Sequence, residues 1–396
     1  MVEGGQQIQR GQGIRPGEFI TQRSPYTQFQ SWLGETRGVI GCPINCQYCF
    51  FQLDGKTPMR PEVAISPQEM IEKLRGVPTY TPDMPINFGA ETDAFSSRET
   101  VAYYTELLKC YGQSDFQNPV IFISKRAIPE EVMDIAVALP QPVLFYVSFS
   151  GLAGTAVEPT VRPEVLERNF IRLKERGLPG IHYWRPFLPQ NSAHDVISRV
   201  LEFVSENAIC SVANGLRLND GIRAKMARFW PELVEQEFDF TQSGEFWPRG
   251  IRNFLIRNVK EQYPAYPVLF GNTTCSVAYA LGRSDVYGHY NGSMCMESNC
   301  QAAQRKLCGA CHRVPYRPEV EQATRQMGIP AEAVVVEEDK IVLQGKIESG
   351  KVAYLRYTLK FPVRSAAIGY SDGYNWANIR DEGNIIEVPW QNNWTE

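Results

Sequence analysis

Residues 41 to 52 read GCPINCQYCFFQ and place Cys42, Cys46 and Cys49 within eight positions. Thiolates are soft ligands, and three of them on one short loop suit iron–sulfur chemistry. A [4Fe–4S] cluster normally takes four cysteines, so a loop that offers three leaves one iron open to a ligand that is not protein. A structural zinc site would want a fourth Cys or His close by. Residues 50 to 109 contain neither, so zinc at this loop would have to recruit a distant ligand.

A second group of thiols lies far along the chain: Cys275, Cys295, Cys300, Cys308 and Cys311, with His289 and His312 among them. The last four cysteines are spaced C-x4-C-x7-C-x2-C. Four thiolates so placed imply a metal, and zinc and iron–sulfur both suit such a set. Cys275 is a further ligand, a spare or, if one of the other four is not bound, a reactive residue. These two groups hold eight of the ten cysteines. In a cytosolic chain, clustered cysteines read as metal ligands rather than disulfides. Cys110 and Cys210 stand alone and read as small buried hydrophobes.

The elements that must position these residues follow an α/β rhythm. The apolar runs PINFGA (85–90), PVIFISK (119–125), PVLFYVSFS (142–150) and GIHYWRPFLP (180–189) are each followed by an amphipathic segment, and CSVANGLRL comes after the last. Strand, crossover helix, strand is the signature of a parallel sheet. The expectation is a partial (β/α)6-type TIM barrel, with its site at the C-terminal strand ends. Glu91, Thr92, Lys125, Ser148 and Arg185 fall there. The chain divides into an N-terminal arm (1–35), a core (36–245), a cysteine-rich segment (246–315) where the rhythm is lost, and a β-rich extension (316–396). In the extension, AVVVEEDKIVLQG and GKVAYLRYTLKF alternate apolar and polar residues and read as hairpins.

CxxxCxxC with an aromatic residue before the third cysteine resembles the signature of the radical SAM superfamily; Cys42, Cys46, Tyr48 and Cys49 fit it. Over residues 36 to 200 the chain is most similar to the spore photoproduct lyase-like branch, in CQYCFFQ, GAETDAF, FISK, VSFS, VEP and LERNF. The resemblance implies that S-adenosylmethionine occupies the open iron through its amino and carboxylate groups. One electron from the cluster then cleaves it to methionine and a 5′-deoxyadenosyl radical, which abstracts hydrogen from a substrate. By the same resemblance, Thr92, Lys125 and Ser148 touch the ribose and methionine groups. Lys125 or Arg185 pairs with the methionine carboxylate, Glu91 bonds the amino group, and Tyr48 packs beside the cofactor. Glu158 and Arg168 read as structural. Radical SAM enzymes that act on peptides often carry C-terminal auxiliary clusters, which implies a second [4Fe–4S] cluster here, with zinc as the alternative.

The chain departs from the lyase at two positions. Ala90 stands where the lyase carries its hydrogen-donating cysteine, and Phe50 where it carries a tyrosine. Together with a net charge of −4 and no basic run, this argues against repair of a nucleic-acid lesion. The leading expectation is modification of a ribosomally synthesised peptide or protein, with splicease-type backbone excision as one form. It calls for an external electron donor such as flavodoxin or ferredoxin and a small peptide-recognition partner. The alternatives are a nucleic-acid lesion or tRNA-modifying enzyme and a non-enzymatic zinc-bound interaction protein. The start, MVEGGQQIQRGQG, has no apolar core, and the longest apolar stretch, AVALPQPVLFYVSF, is broken by Pro140, Gln141 and Pro142. A cytoplasmic protein with no membrane partner is expected.

Overall fold

The computed structural model describes residues 24–29, 31–234, 245–248, 250–270, 273–285, 299–311, 313–338, 340–345, 347–365 and 385–386. The apolar runs become strands because their β-branched and aromatic residues suit a pleated surface buried on both faces. The elements in chain order are β1 (Tyr26–Gln28), β2 (Leu33–Glu35), β3 (Val39–Ile40), β4 (Glu62–Val63), α1 (Pro67–Leu74), β5 (Ile86–Phe88), α2 (Arg98–Gly112), β6 (Val120–Ser124) and α3 (Glu130–Ala138). They continue with β7 (Val143–Val147), α4 (Pro163–Glu175), β8 (Gly180–Trp184), α5 (His194–Asn207), β9 (Cys210–Ala213), β10 (Leu216–Arg217), α6 (Asp220–Met226), β11 (Glu245–Pro248), α7 (Ile251–Gln262), β12 (Val268–Phe270) and α8 (Thr273–Ala280). Helix starts carry their own signals. Ser66 caps α1 ahead of Pro67, and Ser97 and Thr100 form a capping box on α2.

The main sheet has eight strands in the order β1-β2-β5-β6-β7-β8-β9-β12. β1 is antiparallel to β2, and every later pair is parallel. The strands from β5 onward follow chain order without reversal. Right-handed crossovers therefore carry the helices to one face of the sheet. Ile86, Phe88, Val120, Phe122, Val143, Phe145 and Val147 pack on that face with Leu107, Val132, Leu166, Phe170, Ile197 and Leu201. The alternate residues Ile121, Leu144, Tyr146, Ile181, Tyr183, Cys210, Val212 and Leu269 face the other way. There they meet Trp32 and Val277 of α8, with Tyr146 Oη and Ser276 Oγ 2.8 Å apart. The α/β core with a mostly parallel sheet is as expected. Among the described residues the first and last strands do not pair, so the sheet is open.

The sheet also runs past both edges of the segment read as the core. β1 and β2 come from residues assigned to the arm, and α7 and β12 continue the rhythm beyond residue 246. These strands are only three residues long, too short to declare a period.

One hairpin of the C-terminal segment is present, β13 (Val334–Val336) against β14 (Ile341–Leu343). The second is corrected: GKVAYLRYTLKF forms the helix Ser349–Leu359, followed by β15 (Val363–Ser365) parallel to β14. Val352, Leu355 and Leu359 recur at helical spacing, and this overrides the apparent alternation. They bury against Val320, Ile329, Ile341, Leu343 and Phe361 in a core of their own, which includes the helix Arg317–Gln326. β10, β11 and β16 (Ile385–Ile386) form a further short sheet. Among the described residues no helix is long and apolar enough to cross a membrane.

Candidate active site

The cysteine loop begins at Gly41, whose φ is +96°. A Cβ there would lie 2.9 Å from the Arg60 carbonyl oxygen, so both conformation and space call for glycine. Backbone bonds then fix the loop. Cys42 N donates to Lys56 O (3.0 Å), Met59 N to Cys42 O (2.9 Å) and Cys49 N to Cys46 O (3.1 Å). Side chains close it further: Thr57 Oγ1 donates to Ile44 O (2.5 Å) and Gln52 Nε2 to Cys46 O (2.5 Å). Burial raises the pKa of all three thiols. Cys42 is pushed up to about 11, with the Asp93 carboxylate adding to the effect, and Cys46 is pushed further still.

The strand ends meet this loop. Thr92, in the turn after β5, donates through Oγ1 to Gly41 O (2.7 Å). Lys125, directly after β6, donates through Nζ to Ser148 Oγ (2.8 Å) and to Glu158 Oε1 (2.8 Å). The Tyr48 hydroxyl donates to the same Glu158 oxygen. Arg185, directly after β8, donates through Nη1 to the Tyr183 hydroxyl (2.7 Å). Glu91 forms an ion pair with Lys56 (2.6 Å). Cys42, Cys46, Tyr48, Cys49, Glu91, Thr92, Lys125, Ser148 and Arg185 all border one cavity of about 910 Å³. The first group of predicted residues is thus brought together. Two of them carry partners the sequence did not suggest: Lys125 already has a carboxylate and Glu91 already has an ammonium.

Two acidic residues with no role assigned from sequence organise the site. Asp93 is buried; its carboxylate accepts from Lys125 N (2.6 Å), Ser124 Oγ (2.9 Å) and Phe95 N (3.0 Å). Glu35 is buried on β2 and accepts from Gly89 N (3.1 Å) and the Tyr104 hydroxyl (2.8 Å), holding the turn after β5. Burial raises both carboxyl pKa values, while the donated hydrogen bonds work the other way. The sequence signals were the GAETDAF turn for Asp93 and, for Glu35, an acidic residue closing SWLGE. Glu158, assigned to structure, turns out to touch two predicted contacts. Arg217 also borders the cavity, its guanidinium 5.9 Å from the centre of the Phe50 ring.

The second cysteine group is spread over several elements. Cys275 is on α8 and packs with Cys210 on the sheet face away from the main helices. Cys300 precedes the helix Ala302–Ala310, which carries Cys308, and Cys311 follows it. Cys308 is buried, and its sulfur accepts from Asp285 N (3.3 Å) and Gln304 Nε2 (3.4 Å). Cys311 is exposed. Cys295, His289 and His312 lie outside the described residues. Cys210 is buried as expected, whereas Cys110 on α2 is half-buried, with Sγ 3.8 Å from Glu106 Oε1. Among the described residues no three His, Cys, Asp or Glu side chains converge to hold a single metal ion.

No family model and no curated protein matches this chain. Similar solved structures include a spore photoproduct lyase complexed with dinucleoside spore photoproduct. It is 11% identical with a TM-score of 0.46, and the match covers 59% of this chain and 75% of that one. Another is Streptococcus suis SuiB bound to S-adenosylmethionine, 11% identical with a TM-score of 0.44, covering 64% of this chain and 54% of that one. Similarity at this level leaves the functional reading to rest on the residues themselves.

Proposed function

We propose that this chain is a radical SAM enzyme built on a partial-barrel core, acting on a ribosomally synthesised peptide or protein. The observation that carries it is that Cys42, Cys46 and Cys49 border the same cavity as the C-terminal ends of β5, β6, β7 and β8.

The residues fit the implied groups. Each cysteine of a [4Fe–4S] cluster ligates a different iron, so the thiols need not converge on one point. Cys42, Cys46 and Cys49 would hold three irons and leave the fourth to S-adenosylmethionine. Arg185 would pair with its carboxylate as a fixed cation, and Ser148 and Thr92 offer hydroxyls at the same wall. Bound there, the two groups would supply a single electron and a 5′-deoxyadenosyl radical that takes hydrogen from the substrate. The chain's own part is to hold the ligands, exclude water and aim the reacting atoms. Phe29, Trp32, Phe50, Phe51 and Tyr183 give the cavity aromatic walls without a thiol. Ala90 and Phe50 border it and carry no hydrogen donor, which weighs against lesion repair.

The peptide reading is supported by the cavity's size and by the C-terminal residues that border it. A cavity of about 910 Å³ is near the top of the range for small-molecule sites, with room for a nucleoside and a substrate side chain. Ile347 and Glu348, from the C-terminal segment, border it, so that segment is in position to contact a substrate. A second metal group at the C-terminal cysteines is proposed on the thiol count alone. Zinc there would need converging ligands.

The test is iron and sulfide content after anaerobic reconstitution of the full chain. Comparison is with a Cys42→Ala/Cys46→Ala/Cys49→Ala variant, together with an assay for 5′-deoxyadenosine. The variant should lose about four irons per chain and all reductive cleavage. Wild-type iron and retained cleavage in the variant would sink the proposal.

A further inference from the structure

We propose that Glu158 is the positioning residue of this site. One of its carboxylate oxygens ties the Tyr48 hydroxyl of the cysteine loop to the Lys125 ammonium at the end of β6, so that loop and strand ends meet a ligand in fixed register. The inference rests on the reading above that the cavity takes S-adenosylmethionine.

The Glu158 side chain has no exposed surface, and that of Lys125 is only 12% exposed. Oε1 accepts from both Lys125 Nζ (2.8 Å) and the Tyr48 hydroxyl. Lys125 Nζ also lies 5.7 Å from the centre of the Tyr48 ring, so the three groups form one compact unit. Tyr48 sits between Cys46 and Cys49, and Lys125 also holds Ser148. One carboxylate therefore links the cysteine loop to the ends of two strands.

Its own support is firm. Glu158 N donates to Thr155 O (3.1 Å) and Gly154 N to Glu158 O (3.1 Å), folding residues 154 to 158 on themselves. Val157 O accepts from Gln47 N (3.0 Å), a second tie from this segment to the cysteine loop. A buried ion pair is weak evidence for stability, because apolar residues of similar volume commonly serve as well or better. Glu158 Oε2, moreover, has no hydrogen-bond partner among the described residues. A side chain chosen only for packing would not bury a half-satisfied carboxylate. What the carboxylate does achieve is alignment of two residues that face the cavity from different elements.

The experiment uses the full chain, reconstituted anaerobically, as wild type, Glu158→Gln and Tyr48→Phe. Three quantities are read: iron and sulfide per chain, the thermal midpoint, and S-adenosylmethionine binding by equilibrium dialysis. Both variants should keep wild-type iron. Binding should weaken roughly tenfold or more in Glu158→Gln, the scale of one lost hydrogen bond to a charged group, and roughly threefold in Tyr48→Phe, which leaves the Glu158–Lys125 pair in place. A merely structural role would lower the thermal midpoint and leave the dissociation constant at the wild-type value, and that result overturns the assignment. If the wild type itself fails to bind, the cofactor reading falls, and the inference with it. Should Glu158→Gln not fold, because Lys125 is left without its counter-ion, Tyr48→Phe decides alone, since it removes a hydroxyl and uncovers no charge.

Discussion

His182, on β8, has no exposed surface and lies among Phe149, Phe170 and Trp184. Its Nε2 is 2.7 Å from Phe149 O, a carbonyl that can only accept, so Nε2 carries the proton. Nδ1 then accepts from Ser211 Oγ (2.7 Å), which in turn is 2.9 Å from the Tyr266 hydroxyl. A second proton on Nδ1 would force the Ser211 hydroxyl to reverse and accept. Burial lowers the His182 pKa to about 4, with the Phe149 carbonyl partly opposing it. The folded value lies below the unfolded one of about 6.5, so the unfolded chain takes up the proton first. The stability this residue carries is whole above about pH 6.5, declines as the pH falls toward 4, and levels off below. The gap corresponds to roughly 3 kcal/mol. Glu35 and Asp93, whose folded values are raised, work in the opposite sense and weaken the fold as the pH rises. Urea unfolding between pH 7.5 and 4.5 should show the His182 loss. His182→Phe should flatten that slope while lowering stability overall, because Ser211 and the Phe149 carbonyl lose a partner. An unchanged slope in the variant would assign the acid loss to other groups.

At the scale of elements, the stretch from β5 to α2 shows how a strand, a turn and a cap set a site. β5 ends at Phe88, the turn carries Glu91, Thr92 and Asp93, and Ser97 then caps α2 by accepting from Thr100 N (3.1 Å). Ser97→Ala should cost about 1 kcal/mol of stability, read as a lower urea midpoint at constant slope. Cofactor binding should hold steady, because Thr92 and Asp93 are fixed by Gly41 O and by Lys125 N and Ser124 Oγ. A collapse of binding would mean that the cap governs the turn. This stretch was legible in sequence: PINFGA has a strand's composition, and SSRETVAYYTELLKCYG has a cap followed by helical spacing. The cysteine loop was legible as well, since ligand spacing is a local property. What sequence hid was long-range. The partners of Lys125 and Glu91 come from loops far along the chain, and spacing carries no record of them. Three-residue strands such as β12 are too short for a period, and the helix at 349–359 mimics alternation because Tyr354, Arg356 and Thr358 fall between apolar residues.

Among the described residues, the core of the C-terminal segment meets the main core through a few named contacts, and the cavity depends on the join. Val352, Leu355 and Leu359 of the C-terminal helix belong to the core of the C-terminal segment. Tyr357 of the same helix packs instead into the main core. Its hydroxyl donates to Ser31 O (2.6 Å), in the turn between β1 and β2. Lys360 adds an ion pair with Asp83. That docking brings Ile347 and Glu348 to the cavity that the cysteine loop, Ser31 and Trp32 also border. Tyr357→Phe keeps the ring and removes this one hydrogen bond, at a cost of about 1–1.5 kcal/mol. The loss should fall on the join, because the two cores are otherwise intact. In hydrogen exchange, amides of 334–343 and 349–359 should then exchange roughly tenfold faster, while those of α2 to α5 stay at wild-type rates. An equal rise throughout the chain would mean that both cores open as one cooperative unit. In that case the C-terminal segment is a fixed wall of the cavity and not a part that can loosen independently of the sheet.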